Sequence, residues 1–143
     1  MDQFGDVRPL DIVLAEDDPD LARLNRMVLE GAGHNVEVTR DGAATLDAVR
    51  ATDPDLLILD MEMPRGGGLE VLEELRAEPA TVDQAVVVMS NKELTQGEEK
   101  RLLGLGVVDF LAKWKVEPKV LVGWLRGWAA AQARRLSGHR PAH

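Results

Sequence analysis

Short apolar runs and amphipathic stretches take turns along this chain, and their different periods separate strands from helices. Leu10–Ala15 (LDIVLA) is apolar and partly β-branched, which predicts a buried strand. Glu16-Asp17-Asp18-Pro19 stops it, with Asp18 suited to a helix N-cap and Pro19 to the first helical position. The helix that follows carries Leu21, Leu24, Met27 and Val28 and stops at Gly31-Ala32-Gly33. Asn35–Thr39 alternates polar and apolar residues, the mark of a half-buried strand. Asp41-Gly42 reads as a turn, Ala43–Arg50 as a short helix, and Asp53-Pro54 as its end. Leu56–Leu59 is a third strand, and a helix with Leu69, Val71, Leu72 and Leu75 runs from Gly68 to Glu78-Pro79. Ala85–Met89 and Val107–Ala112 are the fourth and fifth strands. A polar helix from Thr95 or Gln96 to Gly104 separates them, and a long helix from Pro118 to about Leu136 closes the series.

Five strands alternating with five helices imply parallel strands joined by right-handed crossovers. The fold class is therefore α/β, and one domain spans residues 10–136. Residues 1–9 read as a polar lead-in and residues 137–143 as a disordered tail. Open sheets of this kind bind ligands outside the carboxyl ends of their strands. The residues found there are Glu16, Asp17, Asp60, Ser90 and Lys113.

Three carboxylates at one rim repel unless a cation sits among them, and hard oxygen ligands suit Mg²⁺. The competing reading of Glu16 and Asp17 as caps or surface acids is weakened because Asp18 already fills the cap position. Asp60 is open to three roles: metal ligand, nucleophile or surface turn residue. A carboxylate can attack phosphorus to form an aspartyl phosphate, and phosphoryl transfer needs mainly positioning and charge neutralisation. On that reading Mg²⁺ held by Asp17 and Asp60 takes one phosphoryl oxygen, Lys113 a second and the Ser90 hydroxyl a third. Neither G-x-x-x-x-G-K-[ST] nor G-x-G-x-x-G is present, so Gly66-Gly67-Gly68 reads as a permissive turn rather than a phosphate-cradling loop.

Composition narrows the setting. With no cysteine, disulfide and thiolate chemistry are excluded, which fits the cytoplasm. No apolar run approaches the ~20 residues of a membrane span. A net charge of −8 argues against nucleic-acid and anionic-membrane binding, with Arg134, Arg135 and Arg140 too few to reverse it.

AEDDP at 15–19, LDMEMPRGGGLE at 59–70, VVVMSN at 86–91 and GVVDFLAKW at 106–114, in this order and spacing, resemble a bacterial two-component response-regulator receiver domain of the stand-alone, chemotaxis-regulator type. The resemblance implies a flavodoxin-like (βα)5 fold with strand order 2-1-3-4-5. It makes Asp60 the phospho-acceptor, with Ser90 and Lys113 completing the catalytic set. It makes Glu16, Asp17, Asp60 and the backbone carbonyl of Glu62 the Mg²⁺ site, and Ser90 and Phe110 the switch pair. For Phe110, plain core packing stands equally open. The partners implied are a sensor histidine kinase or phosphotransfer protein and a downstream effector protein. The chain is then a signalling switch and not an enzyme beyond its own phosphorylation and dephosphorylation. Two alternatives remain: a pseudo-receiver that is never phosphorylated, and an aspartate-dependent phosphohydrolase with Glu62 as general acid.

Trp114 stands where the family carries a proline after the lysine, which predicts a trans Lys113–Trp114 bond, since a non-proline cis bond costs ~3 kcal/mol. Asn91 replaces a small residue and is expected to narrow the site. Glu62 and Lys92 are expected to pair across its mouth. The receiver leaves no room for a DNA-binding domain, so output is expected through surface contacts, unless the sequence is a piece of a longer protein. In the last helix, Val120, Trp124, Trp128 and Ala131 form one stripe and Leu121, Leu125 and Gln132 another. Either both stripes pack on the sheet, or Trp124 and Trp128 anchor a homodimer or partner interface. Glu98-Glu99-Lys100-Arg101 is expected to be a solvated helix face.

Overall fold

The computed structural model describes residues 8–112 and 118–138. Five strands, β1 (Asp11–Ala15), β2 (Asn35–Thr39), β3 (Leu56–Asp60), β4 (Val86–Ser90) and β5 (Asp109–Ala112), form one parallel sheet in the order β2-β1-β3-β4-β5. Five helices alternate with them: α1 (Pro19–Gly31), α2 (Gly42–Thr52), α3 (Gly68–Ala77), α4 (Gln96–Gly104) and α5 (Pro118–Gly138). The alternation anticipated a parallel α/β sheet, and the resemblance anticipated its flavodoxin-like strand order; the sheet has both.

Residues two apart on a strand share a face, and this parity divides the core in two. Val13 and Ala15, Leu57 and Leu59, and Val86 and Val88 turn toward α2, α3 and α4, meeting Leu46, Val49, Leu72, Leu75 and Leu102. Ile12 and Leu14, Leu56 and Ile58, and Val87 and Met89 turn the other way, toward Leu29 of α1 and Leu121, Leu125 and Ala129 of α5. β3 and β4 are buried along their whole length because helices cover both faces. That is why they read as continuous apolar runs, while edge strand β2 alternates.

Local chemistry sets the ends. The Asp18 side chain accepts from the Asp20 and Leu21 amides and Pro19 opens α1; Gly33 takes φ 101° just beyond its end. α2 is longer than expected in both directions. The Asp41 side chain accepts from Ala44 N, which turns Gly42 into helix, and Asp53 takes the left-handed conformation at φ 47° only after Thr52. β5 begins two residues later than its apolar run, after Gly106 at φ 75°. α5 continues through Ser137 and Gly138, two residues that the polarity of the tail had suggested were disordered.

Candidate functional site

Parallel strands connected in this order bring the carboxyl ends of β1, β3 and β4 together at the middle of one sheet edge. Asp60 is the last residue of β3 rather than the first residue after it, and is 2% exposed. Glu16, immediately after β1, is 1% exposed, and Asp17 is exposed. One carboxylate oxygen from each of Glu16, Asp17 and Asp60 lies within 4.8 Å of the other two. Carboxylates this close repel one another, and a cation among them would offset that repulsion. An all-oxygen donor set, partly buried and open on the Asp17 side, has the chemistry of a hard divalent cation site.

The backbone around the acids is held from several sides. Glu16 N donates to Thr39 O at 2.9 Å, and the Glu16 carboxylate accepts from Asp18 N at 3.1 Å. Glu62 N donates to Asp60 Oδ1 at 2.9 Å, which closes the turn after β3 over its own acid. The following loop comes back against the site: Gly68 N donates to Met61 O at 3.2 Å. A Cβ at Gly68 would lie 2.8 Å from Asp60 O, and one at Gly42 would lie 2.4 Å from Gly66 O. Of the glycine triplet, then, Gly66 supplies a positive φ of 94° and Gly68 a close approach. Gly42 was missed as a site-supporting residue because an Asp-Gly pair reads as a turn; its need for glycine arises from a loop some two dozen residues away.

Ser90 closes β4 one residue later than its apolar run, and its side chain is buried. Its hydroxyl donates to Glu62 Oε2 at 3.1 Å and accepts from Lys92 N at 3.3 Å. Asn91 N donates to Glu62 Oε1 at 2.7 Å, while the Asn91 side chain is exposed. The Glu62 carboxylate therefore bridges from β3 to the start of the β4–α4 loop. Nothing in its position in the sequence could announce this. The expected Glu62–Lys92 pair is not formed: Lys92 Nζ lies 3.3 Å from Glu98 Oε2, and no Glu62–Lys92 contact within 4.0 Å occurs among the described residues. The reason is local: Glu98 already faces back in the capping box of α4, taking the Thr95 N–H at 2.9 Å, which brings it alongside Lys92. Backbone and lysine together hold the Glu98 carboxyl below the usual carboxylate range. The stretch expected to be a solvated face is thus partly engaged, since Arg101 also pairs with Glu73 of α3.

Phe110 is half-buried on the same sheet face as Val88, its register partner, with Ser90 and Ala112 paired two residues on. It packs against the α2–α4 side of the core. Val88, Ser90, Leu94 and Phe110 are among the residues lining a pocket of about 150 Å³ between β4, β5 and α4. Lys113 and Trp114, with the expectation of a trans bond between them, lie outside the described residues.

Trp124 and Trp128 sit on α5, on the far face of the sheet from Phe110. Both are half-buried against the α1–α5 side of the core and stack with ring centroids 6.2 Å apart and planes 7° from parallel. Trp124 Nε1 donates to Asp109 Oδ2 at 2.7 Å, tying α5 to β5. Among the described residues, nothing lies within 4 Å of where a Cβ on Gly123 or Gly127 would stand. No helix among the described residues is long and apolar enough to cross a membrane.

Comparison with known proteins agrees with this arrangement. Residues 12–124 match the family described as response regulator receiver domain. The chain is 36% identical over 117 residues to the DNA-binding response regulator MtrA of Mycolicibacterium smegmatis, covering 80% of this chain and 48% of that one. It spans about half the length of the curated relatives it matches. Among solved structures, the N-terminal domain of a response regulator receiver protein from Methanoculleus marisnigri is 32% identical with a TM-score of 0.68, covering 73% of this chain and 84% of that one. The chemotaxis protein CheY4 of Vibrio cholerae, 20% identical with a TM-score of 0.76 over 84% of this chain and 98% of that one, shares the fold. With its acids gathered at one sheet edge and its sequence matched over most of its length, the chain belongs to the response regulator receiver domain family.

Proposed function

We propose that this receiver domain takes a phosphoryl group onto Asp60 from the phosphohistidine of a sensor kinase or phosphotransfer protein. The observation that carries the reading is the buried Asp60 carboxylate, gathered within 4.8 Å of Glu16 and Asp17 at the strand ends. An Asp60 oxygen attacks phosphorus in line, the P–N bond of the donor breaks, and its electron pair returns to the imidazole. Glu16, Asp17 and Asp60, with the Glu62 carbonyl, would hold Mg²⁺, which neutralises charge on the phosphoryl oxygens when bound. The Ser90 hydroxyl supplies a hydrogen bond to the group once transferred, and Lys113 supplies a positive charge.

Signal output follows from the Ser90–Phe110 neighbourhood. Movement of Ser90 toward the phosphoryl group opens the pocket it lines with Phe110, and the ring moves into that space. The surface that reads the change is α4–β5–α5, where Leu103, Val108 and Val120 are exposed and Trp124 and Trp128 are half-buried. Its partner is an effector, a second domain or a second receiver, as is fitting for relatives named as DNA-binding response regulators.

The test is intact-mass measurement after incubation with acetyl phosphate and Mg²⁺. A gain of one phosphoryl group is expected, and Asp60→Asn should abolish it. Fast turnover of acetyl phosphate without a phosphorylated protein would favour the phosphohydrolase reading, and no gain under any donor the pseudo-receiver.

A further inference from the structure

The Glu62 carboxylate occupies an unusual place. Its two oxygens take the Ser90 hydroxyl at 3.1 Å and the Asn91 amide at 2.7 Å. Lys92 N fills a lone pair of the same hydroxyl at 3.3 Å, which leaves the Ser90 hydrogen directed at Glu62. The Glu62 backbone is meanwhile anchored to Asp60, its N–H on Oδ1 at 2.9 Å. Because Asp60 pairs with Met89 across β3 and β4, Ser90 and Asn91 are the first donors beyond the end of that ladder. An anionic group attached to Asp60 and reaching toward β4 would meet those two donors.

We infer that the Glu62 carboxylate is a resident stand-in for the phosphoryl group, holding its hydrogen-bond donors in the unphosphorylated protein, and that it must swing out before Asp60 can be stably phosphorylated. The inference rests on the reading of Asp60 as the phospho-acceptor. Two anions cannot share one hydroxyl hydrogen and one amide hydrogen at full strength, so the phosphoryl oxygen and the Glu62 carboxylate compete. Glu62 is partly exposed, so its carboxylate can turn toward solvent without unpacking the core. Glu62 is thus a positioning residue: it keeps Ser90 and the β4–α4 loop in the resting arrangement and makes their release conditional on a stronger anion. Its backbone carbonyl, the proposed Mg²⁺ ligand, is untouched by a side-chain change.

The experiment compares wild type, Glu62→Gln, Glu62→Ala and Glu93→Ala, the last removing a nearby charge that makes none of these contacts. Phosphorylation by acetyl phosphate with Mg²⁺ is followed by intact mass, and the Asn91 amide by ¹⁵N-resolved NMR. Loss of a charge-assisted pair of hydrogen bonds should speed phosphorylation roughly tenfold in Glu62→Ala, with Glu62→Gln between it and wild type. Glu93→Ala should match wild type. In the resting state the Asn91 amide proton should move upfield in Glu62→Ala. On addition of beryllofluoride and Mg²⁺ the wild-type and Glu62→Ala amides should converge, because the carboxylate has left. A Glu62→Ala rate equal to or below wild type overturns the inference, as does an unmoved resting Asn91 amide or equal acceleration by Glu93→Ala. If no protein gains an Asp60-dependent phosphoryl group, the reading beneath it fails too; a normal gain at unchanged rates removes the Glu62 stand-in alone.

Discussion

At the scale of single residues, the site depends on side chains that are absent as much as on those present. Gly68 is packed so that a Cβ would meet Asp60 O and Met61 Cα, both at 2.8 Å, and backbone cannot move aside as a side-chain tip can. Gly68→Ala should therefore cost about 1–3 kcal/mol, as overpacking does, read as a lower urea midpoint, and should slow phosphorylation by shifting the β3 end. His34 acts through its protonation state. Its Nδ1 accepts the Leu10 amide at 3.1 Å, and burial holds its pKa below the ordinary value of 6.5. The unfolded chain then binds more protons than the folded one below that value. Stability is expected to be full above pH 6.5 and to fall as the pH drops toward the lowered folded-state pKa. Urea titrations at a series of pH values should show that slope in wild type and a shallower one in His34→Gln.

At the scale of elements, α4 is the weakest link between the site and the surface. Leu102 is its buried residue while Leu103 is exposed, so its start depends on the Thr95–Glu98 capping box. Thr95→Ala removes the side-chain acceptor of Glu98 N and should cost about 1 kcal/mol. With so little of α4 in the core, the loss should appear as lower hydrogen-exchange protection of residues 96–104 while the protection of β3 and β4 is unchanged. α5 is the opposite case. Leu121 and Leu125 are fully buried on the sheet, and Trp124 is fastened to Asp109 of β5. Of the two stripes, Leu121 and Leu125 are deeply buried with Gln132 half-buried, while Trp124, Trp128 and Ala131 are half-buried beside exposed Val120.

For the whole molecule, the acid cluster concentrates repulsion in a chain whose net charge is already −8. A cation bound there stabilises the folded state by mass action, by about 2.7 kcal/mol at one hundred times its Kd. Mg²⁺ should raise the melting temperature, EDTA should reverse the rise, and Asp17→Asn should lose most of it while still folding, because Asp17 is exposed.

What the order of residues determined by itself was periodicity and local capping. Strand parity, helix stripes and the Asp18-Pro19 start are short-range properties, the alternation gave parallel strands, and the sheet order came with the family resemblance. Asp60, Glu16 and Asp17 were legible for the same reason: each terminates an apolar run, and the crossover rule sends all such ends to one edge. Folding alone decided which side chains meet across that edge. Glu62 reaches Ser90 and Asn91 rather than Lys92, and Gly42 must be glycine because Gly66 O lies against it. Such contacts join residues far apart in the chain through distances of a few ångströms. They are set by how the loops settle once the core has packed, which no local pattern encodes.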